Sequence, residues 1–292
     1  MRKRILPSLL ASLVLLLALS GCTASTDATA DPAAPGTGAS PEVIKERGVL
    51  RVGCKTDVPG LGYKNPDTGE IEGLEADLAD YLAAEIFELT PQEVRQQNRV
   101  ERIGVDTATR ESLLEDEKID CSIATFTITD ARRARFSFSD AYYTDAIGLM
   151  VKKDTADEKS LGTSAITSIN RLDGKKIGSL AGATTRQDFL DYIEQNKISV
   201  SPVFFEYQHY QDIDDALKRG DIDVFAVDRS ILAGYLDDTL TILPDRFAEQ
   251  PYGIATLKGN SALTDSANQM LKKIKESGEL DSLYTKWGLK NQ

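Results

Sequence analysis

A chain of 292 residues with 46 acidic and 34 basic side chains, formal charge −12, has room for two compact lobes or one large α/β domain. The acidic balance argues against nucleic acid as a partner, because phosphate binding is driven by basic patches; it leaves open what a local pocket holds. Three cysteines, one of them Cys22 near the N-terminus, exclude a disulfide scaffold.

Arg2, Lys3 and Arg4 precede a short apolar stretch from Ile5 to Ala18, and Leu19-Ser20-Gly21-Cys22 follows. The stretch is too short for a comfortable membrane span, so residues 1–21 read as a cleaved export signal. A cysteine directly after Leu-Ser-Gly resembles a bacterial lipobox, in which Cys22 becomes the lipidated first residue; an uncleaved anchor with an incidental cysteine is the alternative. Removal of the three cations takes the formal charge from −12 to −15. Residues 23–41, "TASTDATADPAAPGTGASP", carry no large apolar side chain and are expected to form a disordered tether. Its ends would lie about 25 Å apart. Lipidated cysteine and linker together span 22–42, which places the protein just outside a membrane.

From Gly48 onward strand and helix signals alternate. "VLRVGCK" is a short apolar strand, and Leu74, Leu78, Leu82 and Ile86 mark one face of a helix. The helical "ESLLEDEK" and the strand "DCSIAT" follow. The second half repeats the pattern: "GKKIGSLAGATT" parallels the first strand and its loop, and "DDALKRGDIDVFAVDRS" parallels "ESLLEDEKIDCSIATFT". One such pair is ordinary for any βαβ unit. Two pairs in the same order favour two lobes of similar topology, each a mainly parallel sheet with flanking helices.

In open parallel sheets, ligands bind beyond the carboxyl ends of the strands. The four strands deliver Lys55, then Thr125 and Thr127, then Thr184 and Thr185, and finally Asp228 to that position. Thr184 and Thr185 open the helix "RQDFLDYIEQN", whose free N–H groups suit a carboxylate or phosphate. Arg132 offers a planar fork that grips a carboxylate at two points, and Asp228 suits an ammonium. An anion site drawn from two lobes with one cation site describes an α-amino acid. Taken singly, Thr184 could be a helix cap, Arg132 a surface charge and Asp228 a turn residue; their shared position at strand ends favours the cleft.

From about Val49 to Leu289 the chain resembles the amino-acid-binding proteins of bacterial ABC importers, solute-binding family 3. The resemblance is carried by "GEIEGLEADLADYLA", "IDCSIATFTITDARRARFSFSDAYYTDAIGLMVKK", "DVFAVDRSILAGYL", "EQPYGIATLKG" and "LYTKWGL". It implies a two-lobed type II periplasmic-binding-protein-like fold and is most similar to the aspartate/glutamate-binding members. It further implies that Arg132 of "TITDAR" binds the ligand α-carboxylate, that Thr127 adds a hydroxyl, that the Thr125 segment supplies further contacts to the ligand, and that Thr184 holds the same carboxylate from the second lobe. Asp228 would receive the α-ammonium, and Tyr252 belongs with the ligand-binding residues. The implied boundaries are 43–141 and 254–292 for the first lobe, 147–249 for the second, and hinges at 142–146 and 250–253.

Many members of the family have an acidic residue where this chain has Lys55, which would attract an acidic ligand side chain. Arg110, in "TATRESLL", matches the arginine that engages the side-chain carboxylate in acidic-ligand members. Alternatively, Lys55 and Arg110 are solvated or pair with Glu111 or Asp106. The expected function is capture of free glutamate or aspartate by a lipid-anchored monomer and its delivery to an ABC permease, with no cofactor, metal or catalysis. Another polar amino acid, a dehydratase-like enzyme and an adhesin are the alternatives. The lone His209, in "EYQHYQD", is expected on the surface away from any strand carboxyl end, which weakens an enzymatic reading. Cys54 and Cys121 are expected on neighbouring parallel strands, offset by three positions or roughly 10 Å, too far apart for a disulfide.

Overall fold

The computed structural model describes residue 36 and residues 38–289. The export signal, Cys22 and most of the tether lie outside the described residues. The fold begins earlier than residue 43. Ser40 caps the helix Pro41–Arg47 by accepting from Val43 N, with proline in the first turn, where its missing N–H is tolerated. Asn260 Nδ2 donates to Ala39 O, so the last residues assigned to the tether are held by the body.

Two sets of three parallel strands carry the architecture. The first set is Leu50–Cys54, Val100–Gly104 and Cys121–Ile123; the second is Lys176–Leu180, Val203–Tyr207 and Val224–Asp228. From each outer edge inward, the order is second strand, first strand, third strand, so the two lobes share one topology. Between them run two long strands, Phe136–Lys152 and Phe247–Leu257, which pair antiparallel with each other and with the third strand of each set. The segments 142–146 and 250–253 lie opposite one another on these strands, with Tyr143 facing Tyr252 and Asp145 facing Gln250.

The edge strands Val100–Gly104 and Val203–Tyr207 were not anticipated. Among the described residues each has a single neighbouring strand and is largely half-exposed or exposed, so neither displays the continuous apolar run of the inner strands. The missed Val203–Tyr207 also corrects the placement of His209, which lies two residues beyond a strand carboxyl end, exposed as expected.

The helix Leu74–Phe87 buries Leu74, Leu78, Leu82 and Ile86 along one face, each such side chain contributing about 1.5–3 kcal/mol. It starts after Gly73, where φ is 127° and an added Cβ would lie 2.1 Å from Leu61 O; only glycine fits. The C-terminal helices Ser261–Glu276 and Glu279–Lys286 return to this helix. Lys273 pairs with Glu85, and Trp287 Nε1 donates to Asp77 at 2.7 Å. Phe189, Phe247, Ile147, Ile177 and Val224 form the second lobe's core. Cys121 stands opposite Val52 and Cys54 opposite Ile123, an offset of two residues rather than three. Both thiols are buried and free of any disulfide among the described residues.

Candidate functional site

One wall of the cleft grows from the strand Cys121–Ile123. Thr125 follows in the left-handed region, φ 44°, a conformation that costs a non-glycine residue about 1–3 kcal/mol and recurs at ligand sites. This turn presents the carbonyls of Ala124 and Thr125 to Arg110 Nη1, which donates to them at 2.7 and 3.1 Å. Arg110 stands at the start of the helix Thr109–Glu115, buried, its guanidinium 4.1 Å from the Phe126 ring centroid. Arg132 shares that ring at 4.9 Å and donates from Nη1 to Thr127 O at 3.0 Å. Thr129 caps the short helix Asp130–Arg135 that carries it.

Burial and the neighbouring Arg110 lower Arg132 to about 10, and burial also lowers Arg110. Glu111 Oε1 is 3.8 Å from Arg132 Nε and offsets only part of this. Two guanidiniums set against one ring therefore gain from an anion placed beside them.

The facing wall belongs to the second set of strands. Thr184 and Thr185 open the helix Thr185–Gln195. The Thr184 hydroxyl does not cap it; it donates to Gln250 Oε1 at 3.0 Å, and Gln250 Nε2 donates to Asp188 at 2.8 Å. This network joins the helix start to the returning long strand. Asp228 ends the strand Val224–Asp228 and accepts from the Tyr252 hydroxyl. Its carboxyl is pushed up to about 7 by burial and then by Asp145, with the Tyr252 bond opposing. An ammonium beside Asp228 would restore its charge.

Arg110, Thr125, Thr127, Arg132, Thr184, Thr185 and Asp228 all line this one cleft. Thr107, Tyr210 and Val227 line it too and carry no motif that singles them out. Tyr252 lies behind Asp228 rather than on the surface of the cleft. Lys55 is fully buried outside the lining, its ammonium 2.9 Å from Asp57 and 5.2 Å from the Tyr210 ring centroid. It pairs with neither Asp106 nor Glu111. Glu75, buried behind Thr125, was also missed; it sits within the apolar face of its helix, where a carboxylate gives no signal of its own.

The free space between the walls is about 20 Å³, room for one water, so the lobes stand closed on each other. A groove of about 420 Å³ on the first lobe, beside Asp80 and Trp287, is larger, but its cations are paired within the protein: Arg95 and Arg102 with Asp80, Lys286 with Asp77. Among the described residues no cluster of His, Cys, Asp or Glu is arranged to hold a metal, and no helix is long and apolar enough to cross a membrane.

Two like-topology α/β lobes, joined by two long strands and enclosing a cleft with guanidiniums on one wall and a carboxyl on the other, define a type II periplasmic amino-acid-binding fold. The chain belongs to the bacterial extracellular solute-binding proteins, family 3, whose sequence profile matches residues 50–290. It is 33% identical over 279 residues to the ABC transporter glutamine-binding protein GlnH of Bacillus subtilis (strain 168), covering 94% of this chain and 92% of that one. It is 28% identical to the glutamate-binding protein GluB of Corynebacterium glutamicum, covering 82% and 78%. Among solved structures it is similar to the ancestral amino acid-binding protein AncCDT-1, a precursor of cyclohexadienyl dehydratase. The TM-score there is 0.71 and the identity 26%, over 85% of this chain and 98% of that one.

Proposed function

We propose that this protein captures a free acidic amino acid, glutamate or aspartate, outside the cytoplasmic membrane and delivers it to an ABC permease. The observation that carries this is the charge of the cleft. Among the described residues lining the cleft, Arg110 and Arg132 stand against a single carboxyl, Asp228, and a glutamate or aspartate bearing two carboxylates and one ammonium complements that set group for group. Arg132 with Thr127 takes the α-carboxylate, Asp228 the ammonium, and Arg110 the side-chain carboxylate. Lys55 supports this role less directly than its sequence position suggested, because Asp57 already neutralises it. In this reading 142–146 and 250–253 act as hinges, Cys22 carries the lipid anchor, and the protein works as a monomer without catalysis or cofactor.

A second reading, glutamine, is favoured by the 33%-identical relative named as glutamine-binding. A neutral amide would leave Arg110 without a counter-charge in a buried site, which is unfavourable. Calorimetric titration with glutamate, aspartate and glutamine separates the two. Preference for the acids by tenfold or more supports the first reading, and preference for glutamine replaces it with the second.

A further inference from the structure

Glu75 is a fully buried carboxyl in the first turn of the helix Leu74–Phe87. Its Oε1 accepts from Thr125 N at 2.5 Å and from the Tyr142 hydroxyl at 2.6 Å, while Oε2 has no hydrogen-bond partner among the described residues. The backbone closes tightly around it: a Cβ added at Gly62 would lie 2.9 Å from Oε2 and 2.8 Å from Lys55 O. Burying a carboxyl with one oxygen unpartnered is unfavourable, so its two bonds point to what the arrangement secures.

Those bonds reach the two places on which ligand capture depends. The first is the Thr125 turn, held in a left-handed conformation and accepting, with Ala124 O, from Arg110 Nη1. The second is Tyr142, on the long strand where the chain leaves the first lobe. We infer that Glu75 is a positioning residue for ligand binding: one carboxylate oxygen locks the Thr125 turn that anchors Arg110 and ties that turn to Tyr142 on the crossing strand. Lys55 and Arg110 are the cations that face it, and the first is engaged by Asp57. Burial pushes the carboxyl up to about 7, which marks how far the site departs from ordinary solvation. The inference rests on the proposed amino-acid cleft, but the geometry it concerns is present without ligand.

The test compares Glu75→Gln, which keeps a carbonyl acceptor, with Glu75→Leu, which removes it. Each variant and the wild type are titrated with glutamate, aspartate and glutamine, and hydrogen exchange of the Thr125 amide is followed in ligand-free protein. The glutamine variant should bind within about threefold of wild type and keep Thr125 protected, whereas the leucine variant should lose roughly tenfold or more in both. Unchanged affinity and protection in Glu75→Leu overturns the inference, as does equal damage in both variants. Should Glu75→Leu not fold, Tyr142→Phe takes its place and is expected to weaken binding roughly fivefold, with unchanged affinity overturning the link to the crossing strand. If wild type binds none of the three amino acids, the proposed function fails; the exchange of Thr125 still decides whether Glu75 holds the turn.

Discussion

The hydroxyl of Tyr252, on the strand returning from the second lobe, donates to Asp228 at the end of the strand Val224–Asp228. The bond joins the one acidic side chain lining the cleft among the described residues to a long strand that both lobes share. It also holds the Asp228 carboxyl below where burial and Asp145 would otherwise push it. Asp228→Asn should therefore weaken every amino acid the protein binds by about 2–5 kcal/mol, because in the proposed complex the shared ammonium loses its counter-charge. Tyr252→Phe should cost only about 1 kcal/mol. Calorimetry on both variants checks the ranking, and a larger loss in Tyr252→Phe would contradict it.

Asp228 and Glu75 hold their protons to about pH 7 in the fold, against ordinary values of 3.8 and 4.5. Between those limits the folded state binds more protons than the unfolded one, so stability falls as pH rises. This contribution is fully present below about pH 4 and is lost through about pH 7. Urea unfolding at pH 5 and pH 8 should show a drop in wild type that shrinks, on the order of a few kcal/mol, in the double variant Asp228→Asn, Glu75→Gln. Equal drops in the two proteins would mean that other groups set the profile.

Arg110 and Arg132 share the Phe126 ring but address different ligand groups in the proposed complex. Arg132→Ala should weaken all amino acids alike, by about 2–5 kcal/mol, since it faces the α-carboxylate. Arg110→Ala should weaken glutamate and aspartate by a similar amount and neutral amino acids little. Titration of both variants with the same panel reads the difference. Intact acidic-ligand binding in Arg110→Ala would show that the side-chain assignment is wrong.

The closed cleft has room for about one water, so an amino acid reaches Arg132 and Asp228 only after the lobes part. Closure places Tyr235 of the second lobe against the first, where its hydroxyl donates to Asp57 O at 2.8 Å, and brings Gly234 onto Pro59. A ligand gripped from both walls favours this state over the open one. Small-angle scattering should show a smaller radius of gyration at saturating ligand than without it, and an unchanged radius would count against closure.

Cys54 and Cys121 remain thiols in neighbouring strands, and burial pushes both well above the usual range, with Cys54 near 12. They should be inert to oxidation and alkylation in the native protein. Thiol counting on protein lacking Cys22 should give two free groups only after denaturation, without reductant. Fewer would mean that a disulfide forms.

Periodicity in the sequence reached the inner strands and the helix Leu74–Phe87, because continuous apolar runs and a spacing of four report burial directly. Placing polar residues at strand ends was enough to nominate Arg132, Thr125, Thr127, Thr184 and Asp228, since a parallel sheet sends all its carboxyl ends to one side. The half-exposed edge strands left no such record. Nor did sequence reveal that Lys55 turns to Asp57 and Tyr210, or that Glu75 reaches Thr125 and Tyr142, 50 and 67 residues away. Which partner a buried charge takes depends on distances across the closed chain, and those exist only once both lobes and their crossing strands are packed together.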